Sequence, residues 1–100
     1  MRLDGYFEDA QLKKEILSHL EKGAYRLTKH AAEEQSKDGI DLQDTIHVLK
    51  TGFHEKSKTL FNNAYQTWKY AIRGKTEDLK DVRVIITFSS EMMIVTVMEL

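Results

Sequence analysis

Basic side chains recur at alternate positions in the C-terminal half of the chain. His54, Lys56 and Lys58 occupy every second position of one stretch, and Lys69 and Arg73 lie four positions apart in another, which is also an even spacing. Successive side chains of a β-strand point to opposite faces, so each set is expected on one face of its strand. With a favourable register, the sheet would carry one basic surface beside Tyr65. The predicted surface consists of His54, Lys56, Lys58, Lys69, Arg73 and Arg83.

Such a surface is suited to phosphodiester chemistry. Several cations can bind RNA phosphates, Tyr65 can stack a base, and arginine can stabilise the charge that develops during cleavage. His54 is a candidate proton carrier. The alternative is a solvated outer face, where lysine and arginine keep the sheet soluble and discourage edge pairing. The candidate nucleic-acid-binding residues are Lys58, Tyr65, Lys69 and Arg73.

Histidine supplies the remaining candidate chemistry. His30 follows a predicted helix cap at Thr28 and is a second candidate for proton transfer, with a packing or hydrogen-bonding role as the alternative. The four histidines lack the i, i+4 spacing of a helical zinc site. The absence of cysteine excludes disulfides, thiolate metal sites and thiol nucleophiles. The sequence therefore predicts neither a metal site nor a cofactor.

Composition is typical of one soluble domain. The chain has 100 residues, 41% hydrophobic and 31% charged, with a net charge of -1. No apolar run approaches the roughly 20 residues that span a bilayer, and residues 1–5 lack a signal-peptide core, so a cytoplasmic location without membrane contact is expected. Charge is uneven: residues 50–83 hold 8 Lys/Arg against 4 Asp/Glu, a net of +4. A local anion-binding surface is therefore expected in that segment.

Three helices are predicted before the main sheet. The periodicity places them at about residues 6–22, 28–38 and 41–52, with a short β candidate at 24–27. Thr28 and Asp41 are the predicted N-caps, and Gly23 and Gly52 are the predicted ends of the first and third helices. Leu42, Thr45, Ile46, Val48 and Leu49 form the expected buried stripe of the third helix.

The region from Asn63 to Leu100 is rich in β-branched and aromatic residues and must supply the sheet. Strands are predicted from Tyr65 to Gly74, at 82–89 and at 92–98, with an edge strand at 53–60 and a turn at 61–64. The predicted interior set is Trp68, Tyr70, Ile72, Val82, Val84, Ile86 and Phe88. The predicted fold is α+β, with N-terminal helices packed on a C-terminal antiparallel sheet of three to four strands. Residues 1–100 form one domain, with 1–23 as an N-terminal helix and 24–100 as the core.

Several short motifs resemble a known family. They are Leu27-Thr28-Lys29-His30-Ala31, Gly39-Ile40-Asp41, Leu49-Lys50-Thr51-Gly52, and the run from Trp68 to Gly74. Over about residues 24–100 the chain resembles the bacterial domain-of-unknown-function family 4258. That family is similar in layout to RelE-like toxins, and the chain also resembles the motility quorum-sensing regulator toxin. These resemblances imply a metal-independent mRNA endoribonuclease, acting free or on the ribosome and neutralised by an antitoxin protein.

The resemblance to the toxin carries over by position. Lys56 matches an active-site lysine, whereas Lys69, Arg83 and Met98 stand where the toxin has a glutamine, a tyrosine and a lysine. Glu34 and Asp38 stand where many members of the uncharacterised family have arginine. Combined with the proton-transfer and charge-stabilising candidates named above, this match gives a predicted catalytic set of Lys56, His54, His30 and Arg83.

A second hypothesis comes from another class of function. A degenerate family member would be a non-catalytic interaction module, using the sheet edge or the first helix to hold a protein partner or a second copy of itself. Near-zero net charge supports this alternative, as does the apolar helix face formed by Phe7, Leu12, Ile16 and Leu20.

Overall fold

The computed structural model describes residues 5–100, which form an α+β fold. The helices are α1 (Asp9–Lys22), α2 (Lys29–Lys37) and α3 (Leu42–Thr51). The strands are β1 (Tyr25–Leu27), β2 (Phe53–His54), β3 (Leu60–Asn62), β4 (Thr67–Lys75), β5 (Asp81–Phe88) and β6 (Met92–Glu99). A 3₁₀ turn at Lys56–Lys58 separates β2 from β3. None of the helices within this described part is long and apolar enough to cross a membrane.

Local capping signals set the helix boundaries. Gly23 ends α1 at φ 69°, the left-handed conformation that glycine adopts without steric cost. Thr28 caps α2, since its Oγ1 accepts the Ala31 N–H at 3.1 Å. Asp41 and Asp44 form a reciprocal capping box at the start of α3. The predicted helix caps at Thr28 and Asp41 are therefore confirmed.

The sheet is larger than predicted and mixed in direction. Its order is β1-β6-β5-β4-β2, and β3 also pairs with β4. The β4–β5 and β5–β6 pairs are antiparallel, as their short connections predict, but β1 runs parallel to β6. The predicted α+β class and the short β candidate at 24–27 are confirmed, whereas the prediction of a purely antiparallel sheet of three to four strands was wrong. β1 finds its partner across most of the chain, a pairing that no local pattern reveals.

The predicted edge strand at 53–60 is interrupted. Its residues divide between β2, the 3₁₀ turn and β3, because the Thr59 side chain replaces a ladder partner: Thr59 Oγ1 accepts the Ala71 N–H at 3.1 Å. The turn before β4 also lies later than predicted. Asn62 Oδ1 accepts the N–H groups of Ala64 and Tyr65, which places Tyr65 in the turn and not in the strand.

The helices pack on one face of the sheet, the inner face. The predicted interior positions Tyr70, Ile72, Val84 and Ile86 are buried there, whereas Trp68 and Phe88 are partly buried. In α3 the predicted stripe was wrong at Leu42, which is 37% exposed. The core consists of Leu12, Ile16, Ala31, Ile40, Val48, Leu49, Tyr70, Ile72, Val82, Val84, Ile86, Met92, Ile94 and Val97.

The opposite side of the sheet, the outer face, carries the alternate residues of β4, β5 and β6. Register pairs Arg73 with Arg83 and Arg83 with Met98. An irregularity in β6 leaves Val95 without a partner between Ile94 and Thr96. Candidate chemistry is to be sought on this face, because the inner face is covered by the helices.

Candidate nucleic-acid interface

Two arginines face each other on the outer face. Arg73 of β4 and Arg83 of β5 are direct cross-strand partners, so their side chains project from neighbouring positions. Strand alternation and the short connection between β4 and β5 predicted that these two residues would share a face. The structure confirms this juxtaposition.

Two carboxylates neutralise the arginines. Arg83 Nε and Nη2 donate to Glu55 Oε1 at 2.6 Å and Oε2 at 3.0 Å. Arg73 Nε and Nη2 donate to Asp81 at 3.1 and 2.7 Å, and Arg73 Nη1 donates to Glu55 Oε2 at 3.4 Å. These four residues, Glu55, Arg73, Asp81 and Arg83, are called here the arginine–carboxylate cluster. Its formal charges sum to zero.

The cluster stays ionised at neutral pH. Hydrogen bonds from Arg83 lower the pKa of Glu55, and hydrogen bonds from Arg73 lower the pKa of Asp81. The same contacts raise the pKa of each guanidinium. The side chain of Glu55 is 11% exposed and that of Arg83 is 16% exposed, whereas Arg73 is 37% exposed. Arg73 is therefore the member that a ligand reaches first.

Sequence reasoning missed the two acidic members of the cluster. Asp81 carried a signal, because it lies two residues before Arg83 and alternation places both on one strand face. Glu55 carried none. It follows the last residue of a two-residue strand, and its position depends on the 3₁₀ turn that interrupts the predicted edge strand.

A second part of the outer face is basic and not neutralised. Lys69 is half-buried, and the described chain, residues 5–100, provides no carboxylate partner for it. Tyr65, 78% exposed, stands nearby in the turn before β4. Together they line a half-open cavity of about 310 Å³, called here the Lys69 cavity. Its lining consists of Asn62, Tyr65, Thr67, Lys69, Thr87, Phe88, Ser89 and Val95.

The Lys69 cavity combines a cation, hydroxyl groups and an aromatic ring. Thr67 and Thr87 are held together by a 3.0 Å hydrogen bond between their hydroxyls, and Thr87 Oγ1 also donates to the Trp68 carbonyl. Lysine binds phosphate as a compact charge, and an exposed tyrosine offers a stacking surface for a base. The cavity is therefore chemically suited to a nucleotide unit.

Lys56 and Lys58 lie in the 3₁₀ turn and not in a strand. Both side chains are exposed, and Lys56 Nζ is 3.4 Å from Asp9 Oδ2 of α1. The prediction that these lysines and His54 alternate along one strand was wrong, because the strand ends at His54. Lys56 follows Glu55 in the sequence, but its ammonium lies on Asp9, the carboxylate that also contacts His54, and not on the arginine–carboxylate cluster.

His54 points to the inner side of the sheet. It pairs with Ile72, a core residue, and only 5% of its side chain is exposed. Its Nδ1 lies 2.8 Å from Asp9 Oδ1, and its Nε2 lies 2.8 Å from Thr59 Oγ1. The predicted position of His54 on the basic surface was therefore wrong. The β2–β4 register places its ring beside Tyr70, at 5.8 Å, away from the arginines.

His30 also lies apart from the outer face. It occupies the first turn of α2, which packs against β6, and its side chain is 70% exposed with Nε2 3.3 Å from Glu34 Oε2. The structure thus brings neither candidate histidine to the arginine–carboxylate cluster. The predicted catalytic set of Lys56, His54, His30 and Arg83 is not assembled in one place.

Glu34 and Asp38 have structural contacts. Glu34 Oε1 accepts the Val97 N–H at 3.2 Å, and Asp38 Oδ2 accepts the Glu99 N–H at 3.0 Å. β1 pairs with residues 92–94 of β6, and within residues 5–100 no other strand borders the rest of that edge. The two carboxylates therefore accept hydrogen bonds from N–H groups of this edge. Arginine at these positions could not do so, because its side chain has donors and no acceptor.

A model of the family described as Domain of unknown function (DUF4258) matches residues 27–99. The chain belongs to this family. No curated protein and no solved structure gives a match. The DUF4258 match begins at the last residue of β1 and extends through β6, so it contains the whole outer face and leaves α1 outside.

Two glycines of the DUF4258 region allow a close backbone approach between α3 and β4. A Cβ at Gly74 would lie 2.9 Å from Gly52 Cα, and a Cβ at Gly52 would lie 2.6 Å from the Arg73 and Val48 carbonyl oxygens. Gly52 and Gly74 end two of the sequence motifs noted above. Their contact gives these motifs a packing role, which positions Arg73 next to the end of α3.

Proposed function

We propose that this DUF4258 domain binds single-stranded RNA through the outer face of its sheet. The observation that carries the proposal is Lys69, a half-buried cation without a carboxylate partner in residues 5–100, beside the exposed Tyr65 in one cavity. Single-stranded RNA offers a phosphate and an unstacked base in each nucleotide. Lys69 binds the phosphate and Tyr65 stacks the base.

Further phosphate contacts extend along the same surface. Arg73 retains 37% exposure despite its carboxylate partners, and Lys58 is exposed in the 3₁₀ turn. Arg83 is more deeply placed and bound by Glu55 on two nitrogens. In this proposal Lys69, Tyr65, Arg73 and Lys58 hold the RNA chain, and Arg83 comes into contact only when Glu55 moves.

The resemblance to metal-independent endoribonuclease toxins extends the proposal to cleavage. Arg83 and Arg73 would stabilise charge on the scissile phosphate, and Lys56, the lysine matched by position, would have to leave Asp9 to join them. Both candidate histidines lie away from these arginines, so binding has stronger support than catalysis. An antitoxin protein and the ribosome are the partners that the cleavage version implies.

Binding is tested by fluorescence anisotropy of a labelled 12-nucleotide oligouridine across a KCl series. Lys69→Ala removes one phosphate contact, so the slope of log affinity against log salt concentration should become shallower by about 0.7. The affinity lost relative to wild type should therefore be about fivefold larger at 0.1 M salt than at 1 M salt. Tyr65→Ala should cost about 1–3 kcal/mol of stacking. Lys14→Ala, exposed on α1, is the matched control. Wild-type protein that fails to bind RNA at low salt overturns the proposal.

Cleavage is tested separately, with end-labelled mRNA incubated alone in EDTA and, in a second reaction, with ribosomes in Mg²⁺ buffer. The endoribonuclease version predicts cleavage that is lost in Lys56→Ala and Arg83→Ala, and growth arrest when the wild-type protein is expressed. Intact RNA under both conditions contradicts the enzymatic version but leaves the binding proposal in place.

A non-catalytic protein-interaction function is the second candidate. The outer face also carries the half-buried apolar side chains of Ile85, Met93 and Met98, and Phe53 at its edge is 59% exposed. A protein partner or a second copy of the chain would cover these groups. Binding that is insensitive to salt and requires Phe53 favours this function, because RNA binding falls steeply with salt.

A further inference from the structure

The arginine–carboxylate cluster has the geometry of an oxyanion site that is already occupied. Arg83 donates to both oxygens of Glu55, at 2.6 and 3.0 Å, and Arg73 donates to the second oxygen at 3.4 Å. A guanidinium binds phosphate in the same two-point manner as it binds carboxylate. Glu55 therefore fills the position that a phosphate oxygen pair would take between the two arginines.

We propose that Glu55 is an internal competitor of RNA phosphate, closing a two-arginine phosphate site that opens when its side chain turns away. This inference rests on the proposed RNA binding by the outer face and concerns its regulation. With Glu55 in place, the cluster carries no net charge and contributes little to RNA affinity. With Glu55 displaced, Arg83 Nε and Nη2 and Arg73 Nη1 become available to one phosphate, while Arg73 Nε and Nη2 stay bound to Asp81.

The local structure allows the side chain to move without the backbone. The Glu55 N–H donates to the Ala71 carbonyl at 2.8 Å, and the Glu55 carbonyl accepts the Lys58 N–H at 3.0 Å. These bonds hold the main chain against β4, while the carboxylate is attached through three rotatable bonds. Arg73 is 37% exposed and provides the approach for an incoming phosphate.

Asp81 differs from Glu55 in position and provides a matched comparison. It lies on β5 itself, and among residues 5–100 its carboxylate accepts side-chain hydrogen bonds from Arg73 and not from Arg83. Asp81 therefore acts on Arg83 through its charge alone. Removing either carboxylate removes one negative charge from the same face, but only removal of Glu55 frees the Arg83 guanidinium.

The test compares Glu55→Gln with Asp81→Asn, each also in an Arg83→Gln background, using the labelled 12-nucleotide oligouridine. Glu55→Gln should gain one phosphate contact, so its slope of log affinity against log salt concentration should be steeper than that of wild type by about 0.7. Its affinity gain over wild type should therefore be about fivefold larger at 0.1 M salt than at 1 M salt. This gain should disappear in the Arg83→Gln background. Asp81→Asn should give a smaller gain that survives there. Circular dichroism melting confirms that each variant is folded.

Three outcomes would overturn the inference. If Glu55→Gln binds RNA with the affinity of wild type, Glu55 is not a competitor of phosphate, but the proposal of RNA binding stands. If Glu55→Gln and Asp81→Asn gain equal RNA affinity, and both gains persist in the Arg83→Gln background, the cause is the loss of a negative charge and not the opening of a phosphate site. Absence of RNA binding in wild type and Glu55→Gln alike removes the proposed function together with the inference.

A measurement on the wild-type protein provides a test without substitution. The Arg83 Nε–H signal in a ¹H–¹⁵N spectrum reports the 2.6 Å contact with Glu55. Saturation with oligouridine should shift this signal as phosphate replaces carboxylate, with a smaller change at backbone amides of α1. An Arg83 signal that stays fixed at saturation contradicts displacement of Glu55.

Discussion

Among single residues, Glu55 has a large effect on the charge of the outer face, because its carboxylate binds both Arg83 and Arg73. Without its carboxylate, Arg73 and Arg83 would face each other across β4 and β5 with only Asp81 to compensate. The arginine pair was predictable, because alternation and a short connection are local signals. The neutralising glutamate was not, because the neighbouring basic residues in the sequence gave no indication that its side chain turns back onto the sheet.

The Glu55→Gln substitution should alter the acid dependence of stability. The native pKa of Glu55 lies below its ordinary value of 4.5, so the stability it contributes is complete above pH 4.5. That contribution is lost as the pH falls through the lowered native pKa. Glu55→Gln should therefore be about 2 kcal/mol less stable at pH 7, from weakened charged hydrogen bonds, and the difference should shrink on acidification below pH 4.5.

Urea unfolding followed by circular dichroism between pH 3 and pH 7 measures this difference. Glu33→Gln is the control, since Glu33 is exposed on α2. Its free energy of unfolding should follow the wild-type curve. A Glu55→Gln deficit that stays constant through the acid range would contradict the assigned role of the ion pair.

At the scale of elements, the helices were more predictable than the strands. Thr28 and Asp41 bond to N–H groups three residues ahead, so a helix start is visible within a short window. The pairing of β1 with β6 and the replacement of a ladder bond by Thr59 depend on contacts between distant segments. These contacts explain the errors in strand number and in the face assigned to His54.

Substitution of Gly52 should separate α3 from β4. A Cβ at this position would meet two backbone oxygens at 2.6 Å, and neither can rotate away. Gly52→Ala is therefore expected to lower the free energy of unfolding by about 1–3 kcal/mol through overpacking. Thr51→Ala, at the exposed neighbouring position, is the control. Thermal unfolding of both variants checks the expectation, and equal melting temperatures for Gly52→Ala and wild type would refute the proposed close packing.

At the scale of the whole molecule, the family region and the folded unit differ in extent. The DUF4258 match starts at residue 27, but α1 lies before it and contributes Leu12 and Ile16 to the same core. The segment before α1 is also tied to the sheet, since the Phe7 N–H donates to the Tyr70 hydroxyl at 2.8 Å and that hydroxyl donates to the Gly5 carbonyl. α1 therefore stabilises the sheet that carries the outer face.

The Leu12→Ala substitution measures how strongly the family region depends on α1. Leu12 is 1% exposed, so its truncation should cost about 2–5 kcal/mol through lost transfer energy and a residual cavity. A domain of this size has about 5–15 kcal/mol in total, so the urea midpoint should fall substantially. Leu17→Ala, on the same helix but 40% exposed, should have a much smaller effect. If the two variants unfold at the same urea concentration, α1 is an appendage and residues 27–99 hold the sheet together alone. If only Leu12→Ala is weakened, RNA-binding variants of the outer face must be compared in chains that retain α1.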